Sequence, residues 1–352
     1  MAVNFKDRVA PDAGFFKAAE WDLHQAVWVA WPWDDTDWQD DLPRAQAELV
    51  QLCQAITALD DAGRPQGEVV NMLVRNADDE HAARAALGAV AAFSRFHHIP
   101  TGDLWLRDTA PIFMSHPNGS SAATCFKFNG WGGKYLYPDD AFVSERVAKV
   151  SGAETFHVPL VLEGGAIEVD GQGSCLTTRQ CLLHPKRNSG LGQQELEDML
   201  GRALGIRKVL WLDQGLANDH TDGHIDNLAR FVGPATVACM TPRSSADPNH
   251  AVLLEIIEQL SMFTDANGQR LTLVTLPSPG LIAASDGRPY PASYLNFYIA
   301  NRTVIVPAFG QDTDQLARDR LAQAFPTRRV VSLPALGLLT GGGTFHCITQ
   351  QQ

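Results

Sequence analysis

Apolar residues recur along this chain in two alternating patterns. Leu49, Leu52, Cys53, Ile56 and Leu59 fall on one face at helical spacing after DLPR, and the buried-strand pattern EVVNMLV follows the turn AGRPQG. Leu196, Met199, Leu200, Ala203 and Leu204 predict a second amphipathic helix before the strand RKVLWL, and Leu253, Ile256, Ile257 and Leu260 predict a third before RLTLVTL. These stripes are read as core packing.

A second regularity lies between them. WLRDTAPIFM, LEGGAIEVDGQGSCLTT, DGHIDNLARFVGPATVACM, ASYLNFYIANRTVIVPAFG and GGGTFHCITQ each set polar residues or glycines at the head of an extended apolar segment. They recur at intervals of roughly fifty to seventy residues, as repeated supersecondary units do. Five strand-and-helix modules around a common axis would bring the polar heads to one central pocket. No linker or low-complexity stretch divides the chain, so a single domain over residues 1–352 is expected.

Composition narrows the function. A chain of 352 residues that is 45% hydrophobic can bury a large core, and a net charge of −12 disfavours nucleic acid and anionic membranes as partners. A small cationic molecule suits it better. The opening MAVNFKDRVAPDAGFF lacks a leader pattern and no apolar run reaches membrane-spanning length, so a cytoplasmic protein is expected. The six cysteines form no C-x-x-C pair, which fits reduced thiols better than a disulfide framework or zinc ribbon.

Candidate chemistry sits at the heads. Cys347 follows three glycines and a histidine, a constrained composition for a chain end. NDHTDGHIDN packs Asp219, His220, Asp222, His224 and Asp226 together, and in an extended chain His224 and Asp226 would share a face. A histidine beside a carboxylate can act as a general acid near neutral pH. A metal site of His220, His224 and Asp226 is the competing reading, although no H-E-x-x-H helix or obvious fourth ligand accompanies it. With Trp105, Asp108 and Glu163, the heads offer one thiol, one imidazole, carboxylates and an aromatic face. That set suits a planar guanidinium, whose N–H donors pair with carboxylates and whose cation rests on a ring.

WLRDTAPIF, FNGWGGKY, LEGGAIEVDGQGSCLTTRQCLL, DGHIDN, LNFYIAN and GGGTFHCITQQ together resemble the agmatine deiminase and Porphyromonas-type peptidyl-arginine deiminase family of the guanidino-group-modifying superfamily. The resemblance runs in order from EWDLHQAVWVAWPW to the last residue. It implies an α/β fold, a five-bladed pseudo-symmetric α/β propeller of the pentein type. It implies deimination of a small guanidino amine, agmatine to N-carbamoylputrescine and ammonia in polyamine biosynthesis, with no metal or organic cofactor. Carried over residue by residue, it makes Cys347 the nucleophile and His224 the general acid and base. Asp108 and Asp226 would bind the guanidinium, Trp105 would pack on its plane, and Glu163 would orient His224. Trp131 and Gly342 would complete the substrate-contacting set. Another guanidino compound or peptidyl arginine is the alternative within this class; the metal-dependent hydrolase using His220, His224 and Asp226 and a non-enzymatic carrier lie outside it. A homo-oligomer is compatible with the sequence.

Three departures from the family pattern concern recognition of the substrate's far end. Thr344 and Phe345 stand where Asn-Ile is common, Ala110 where glycine is usual, and His220 where an acid is usual. WPWDDTDWQDD, with Asp34, Asp35 and Asp37 among Trp31, Trp33 and Trp38, is a candidate for the pocket mouth.

Overall fold

The structure, a computed structural model, describes residues 8–352, so the first seven residues of the N-terminal stretch considered above lie outside the described residues. Its strands are β1 (Ala26–Ala30), β2 (Val69–Val74), β3 (Ser94–His98), β4 (Ile112–Ser115), β5 (Ser121–Lys127), β6 (Glu154–Val161), β7 (Glu168–Val169) and β8 (Ser174–Thr178). They continue with β9 (Lys208–Leu212), β10 (Ala229–Gly233), β11 (Thr236–Thr241), β12 (Thr272–Pro277), β13 (Tyr298–Ile299), β14 (Thr303–Ala308), β15 (Arg329–Pro334) and β16 (Gln350–Gln351).

These strands make five small sheets of one design. In β4-β5-β6, β7-β8-β9, β10-β11-β12 and β13-β14-β15 the first strand pairs antiparallel with the second, and the second pairs parallel with the third. A parallel pair needs a crossover, supplied here by the helices Asp140–Ser151, Gln193–Leu204, His250–Met262 and Asp314–Ala324. The fifth sheet repeats the design with the chain's two ends. β16 pairs antiparallel with β1, β1 runs parallel to β2 across the helix Leu42–Thr57, and β3 is added at the edge. The result is the five-bladed α/β propeller expected from the five heads.

Burial explains the strand sequences. The second strands read AVWVA, SAATCFK, SCLTT, TVACMT and TVIVPA and are buried nearly throughout, as expected of strands covered on both faces. The helix Leu42–Thr57 buries Leu49, Leu52, Cys53 and Ile56 as its spacing predicts. It ends at Ala58, whose φ of 47° is left-handed, so Leu59 lies beyond the helix rather than on its face. The other two predicted helices and all three strands stand where the apolar pattern puts them. Among the described residues no helix is long and apolar enough to cross a membrane.

The heads themselves are not extended. Leu106–Thr109, Gly164–Ala166 and Ile225–Asn227 are single helical turns, and 341–349 is a chain of turns. A turn lets the backbone cross the axis before the strand begins. The expectation that strand alternation aligns His224 with Asp226 is therefore corrected, because His224 caps the turn that contains Asp226.

The closing strand is tied down by side chains as well as by its ladder. Gln352 O accepts from Gln25 N at 2.6 Å, Gln352 N donates to Ala26 O at 2.8 Å, and Trp28 Nε1 donates to Gln352 Oε1 at 2.9 Å. Arg107 Nη1 donates to Gln350 Oε1 at 3.2 Å and to Gln351 Oε1 at 2.7 Å. Deleting Gln350, Gln351 and Gln352 should remove these bonds, roughly 1 kcal/mol each, and so lower unfolding stability by about 5 kcal/mol. Thermal and denaturant unfolding measure this; an unchanged transition would show that the ring does not need its last strand.

Candidate active site

Three head turns and the C-terminal loop meet around Gly165. A Cβ placed on it would fall 2.6 Å from His224 Nδ1, 3.0 Å from Asp108 Oδ1 and 3.1 Å from Asp226 Oδ2. Only a residue without a side chain lets those groups close over one point. The Gly165 N–H also donates to Asp108 Oδ1 at 3.0 Å, and Trp131 Nε1 donates to Asp108 Oδ2 at 2.9 Å. His224 Nδ1 lies 3.8 Å from Asp108 Oδ1, and Cys347 Sγ lies 3.5 Å from Asp226 Oδ2. All of these side chains are buried.

The glycine run has a geometric purpose. Gly342 has φ of 114°, a region that side chains disfavour, and a Cβ on Gly343 would lie 2.9 Å from both Cys347 Sγ and the Trp105 ring. The loop is thus pressed between the indole and the thiol. Trp105 stacks on Trp38 with ring centres 6.0 Å apart, and the two indole N–H groups share the carboxylate of Asp103 at 2.7 and 3.2 Å. Burial pushes the Asp103 carboxyl up to about 7. Trp131 holds a left-handed φ of 51° between two glycines that are also left-handed, a strained placement that keeps its N–H on Asp108.

Asn296 organises the turn that carries Cys347. Its Oδ1 accepts from the backbone N–H of Thr344 at 3.2 Å, of His346 at 3.1 Å and of Cys347 at 3.2 Å. Backbone N–H groups only donate, so the amide oxygen must face them and Nδ2 is left to donate. It does so to Cys347 Sγ at 3.0 Å and Asn227 Oδ1 at 3.0 Å.

Electrostatics set the resting state. Burial pushes the Cys347 thiol well above the ordinary cysteine range, and the charges of Asp226 and Asp108 push it further, against the Asn296 hydrogen bond. Burial would lower His224, yet Asp108, Cys181 and Glu163 together hold it well above the usual imidazole range. Burial raises Asp108, reinforced by Asp226 and Glu163 and opposed by His224. Burial works to raise Asp226 too, but His346, then His224 and Arg230, hold it below the usual carboxylate range. These directions favour an imidazolium at His224 and a neutral thiol at Cys347, with Asp226 more readily ionised than Asp108. A cation placed among them would relieve the carboxylates and favour the thiolate.

Each residue singled out in the sequence can now be located. Asp108, Glu163, His224, Asp226 and Cys347 come together, with Trp105, Trp131 and Gly342 around them. Glu163 lies beside His224 and Cys181, but its Oε1 accepts from Arg187 Nε at 2.7 Å. Arg187 also reaches Asp222 Oδ2 at 2.6 Å, and Lys134 pairs with the same Asp222 at 2.5 Å. His220 does not join His224 and Asp226. It is exposed at the rim, stacked on Tyr135 and 2.9 Å from its hydroxyl, so the metal set His220, His224 and Asp226 is corrected. Among the described residues the clusters of metal-ligand type are Glu163, Cys181 and His224, and Glu20, Glu168 and His346. Each has a guanidinium within it already, Arg187 on Glu163 and Arg230 on Glu20 and Glu168. Trp38 lies on the wall of the site and Asp34 is half-buried, while the side chains of Asp35 and Asp37 lie outside the described residues. Asn296, His346, Arg187 and Gly165 were not anticipated; only the histidine beside Cys347 and the paired glycines of LEGG gave any sign.

In free protein the thiol should therefore react slowly with a neutral alkylating reagent at neutral pH and faster as pH rises. Asp226→Asn, which removes the largest neighbouring charge, should move that rate profile to lower pH. Peptide mapping of Cys347 alkylation tests this; rapid modification below pH 8 with no response to the substitution would contradict it.

The model of the Porphyromonas-type peptidyl-arginine deiminase family matches residues 16–352. A Marinomonas sp. (strain MWYL1) protein named "Putative agmatine deiminase" is 37% identical, over 96% of this chain and 94% of its own. The solved agmatine deiminase of Enterococcus faecalis is 29% identical, with a TM-score of 0.90 over 99% of this chain and 98% of that one. A cysteine-to-serine variant of the C. jejuni agmatine deiminase, solved with substrate bound, is 26% identical, with a TM-score of 0.85 over 96% of each chain.

Proposed function

The chain belongs to the Porphyromonas-type peptidyl-arginine deiminase family, and from that premise we propose that it hydrolyses the guanidino group of a small amine to a ureido group and ammonia. The observation that carries this reading is the convergence on Gly165 of His224, Asp108 and Asp226, with Cys347 beside the last. Two carboxylates can take the N–H donors of one guanidinium through charge-assisted bonds, roughly twice as strong as neutral ones. They also fix its carbon against the sulfur, and orientation of this kind supplies a large part of a barrier reduction.

The reaction follows from those positions. The bound cation offsets the two carboxylates that keep Cys347 protonated, so the thiol gives up its proton to solvent and the thiolate forms as substrate arrives. Its sulfur attacks the guanidinium carbon. His224 gives its proton to the departing nitrogen, the carbon–nitrogen bond breaks, and ammonia leaves an amidino group on Cys347. Neutral His224 then takes a proton from water, whose oxygen attacks the same carbon. The carbon–sulfur bond breaks as the sulfur takes up the hydroxyl proton, restoring the thiol and the imidazolium and releasing the ureido product. Glu163 stabilises the charged His224, and Trp105 packs on the substrate plane.

Agmatine is the leading substrate. The relatives described above carry the name agmatine deiminase or putative agmatine deiminase, the chain is acidic, and the rim Lys134 and the buried Arg187 are both paired with Asp222. Competition between agmatine, arginine and a short arginine peptide should rank them in that order, each tenfold step needing only about 1.4 kcal/mol. Preference for arginine or the peptide would overturn the substrate while leaving the chemistry in place.

Cys347→Ser should abolish turnover with the fold retained. His224→Ala should slow it by about 10²–10⁴-fold. Mass spectrometry of quenched wild-type protein should find an amidino adduct on Cys347, and ammonia release at the parental rate by the serine variant would refute the assignment.

A further inference from the structure

A second set of charges is buried behind Asp226. His346 Nδ1 lies 2.8 Å from Asp226 Oδ2, and its other nitrogen, Nε2, lies 2.8 Å from Glu20 Oε2. Glu20 pairs with Arg230 Nη2 at 2.8 Å and faces Arg107 Nη2 at 3.6 Å, while Arg230 Nε donates to Glu168 Oε2 at 2.8 Å. Three acids, Glu20, Glu168 and Asp226, thus meet two guanidinium groups, Arg107 and Arg230, and the His346 ring, all within the core. Despite its burial, Glu20 is held well below the carboxylate range by Arg230 and then His346. Two ionised carboxylates only accept hydrogen bonds, so both nitrogens of the ring between them carry hydrogen.

The rear of this network has its own cavity. Lys17, Glu20, Arg107, Glu168 and His346 line a space of about 20 Å³, enough for one water, which Cys347, Asp108 and His224 do not line. Lys17 and Gln351 also line a larger cavity of about 170 Å³ whose wall includes the exposed Leu23.

We infer that His346, held as an imidazolium by Glu20, is a positioning residue that fixes and charge-balances Asp226 from behind, so that its carboxylate takes the substrate guanidinium in one orientation. This rests on the proposed deimination. Two carboxylates in one dry site disfavour each other's charge, and the usual outcome is that one takes a proton. A protonated Asp226 would aim a hydrogen at a ligand that itself only donates. Asp226 faces His224, Asp108 and Cys347 in front and His346 and Arg230 behind. His346 faces Asp226 and Glu20, with Glu168, Arg107, Arg230 and Lys17 around them.

The test uses the full-length enzyme and two substitutions. His346→Asn keeps a donor near the Nδ1 position without the charge, and Glu20→Gln keeps shape without the charge that holds the ring protonated. Because His346 lowers Asp226, weakening the cation raises it. The acid limb of kcat/KM with agmatine should therefore move to higher pH by about one unit in both variants, with rates recovering as pH rises. Superimposable profiles, or an equal loss at every pH, would overturn the inference and leave only a packing role. Nitrogen NMR of histidine-labelled wild-type protein should show both His346 nitrogens protonated at neutral pH, and one bare nitrogen would also overturn it. That spectrum needs no turnover, so absence of activity on every guanidino compound would sink the proposed reaction separately. Should His346→Asn fail to fold, Glu20→Gln and the spectrum decide.

Discussion

Asp108 and Asp226 lie within about 3 Å of the same point above Gly165, closed off from water together with a thiol and an imidazole. Like charges at that separation in a dry site repel strongly, and the protein answers with cations set around them rather than between them. His224 stands against Asp108, and His346 with Arg230 stands behind Asp226. On the proposed deimination, charge in the site would serve recognition and activation at once, because the cation that binds would also favour the thiolate.

The propeller makes this crowding achievable. Each blade sends a turn toward the axis before its first strand, so residues far apart in sequence arrive at one place. Closure of the ring falls to the C-terminal strand, and Cys347 lies just before it. Cys347 is thereby fixed from two directions, by Asn296 on its own turn and by Arg107, which takes the Cys347 carbonyl on its backbone N–H and the two closing glutamines on its side chain. Precision at the sulfur and stability of the ring come from the same few residues.

Much of this was legible in the sequence. The alternation of helical and strand periodicity gave elements near their observed bounds, and five polar heads gave five blades because each head must turn toward the axis. Cys347, His224, Asp226, Asp108 and Glu163 were legible because their residue types sit at those heads. Their local geometry was not: alternation on a strand suggested that His224 and Asp226 share a face, whereas a helical turn brings both to Gly165 and sets His224 against Asp108. His220 lies four residues from His224 and still faces the rim, since the glycine between them at Gly223 and the left-handed Asp222 redirect the chain. Glu20, Asn296 and Arg230, and the partners of His346, were unreadable for another reason. Their partners lie across the ring, as Glu20 and His346 do, and no local period marks a contact made only on closure.

The central claim is that a positive charge between Asp108 and Asp226 turns Cys347 from thiol to thiolate. It is tested by alkylating the protein at neutral pH with a haloacetamidine and with the haloacetamide of the same shape, one cationic and one neutral. Two charge-assisted bonds should favour the cation by about a hundredfold or more in the rate of Cys347 modification. That advantage should collapse in Asp108→Asn and Asp226→Asn. Equal rates for the two reagents on the wild-type protein would contradict the account.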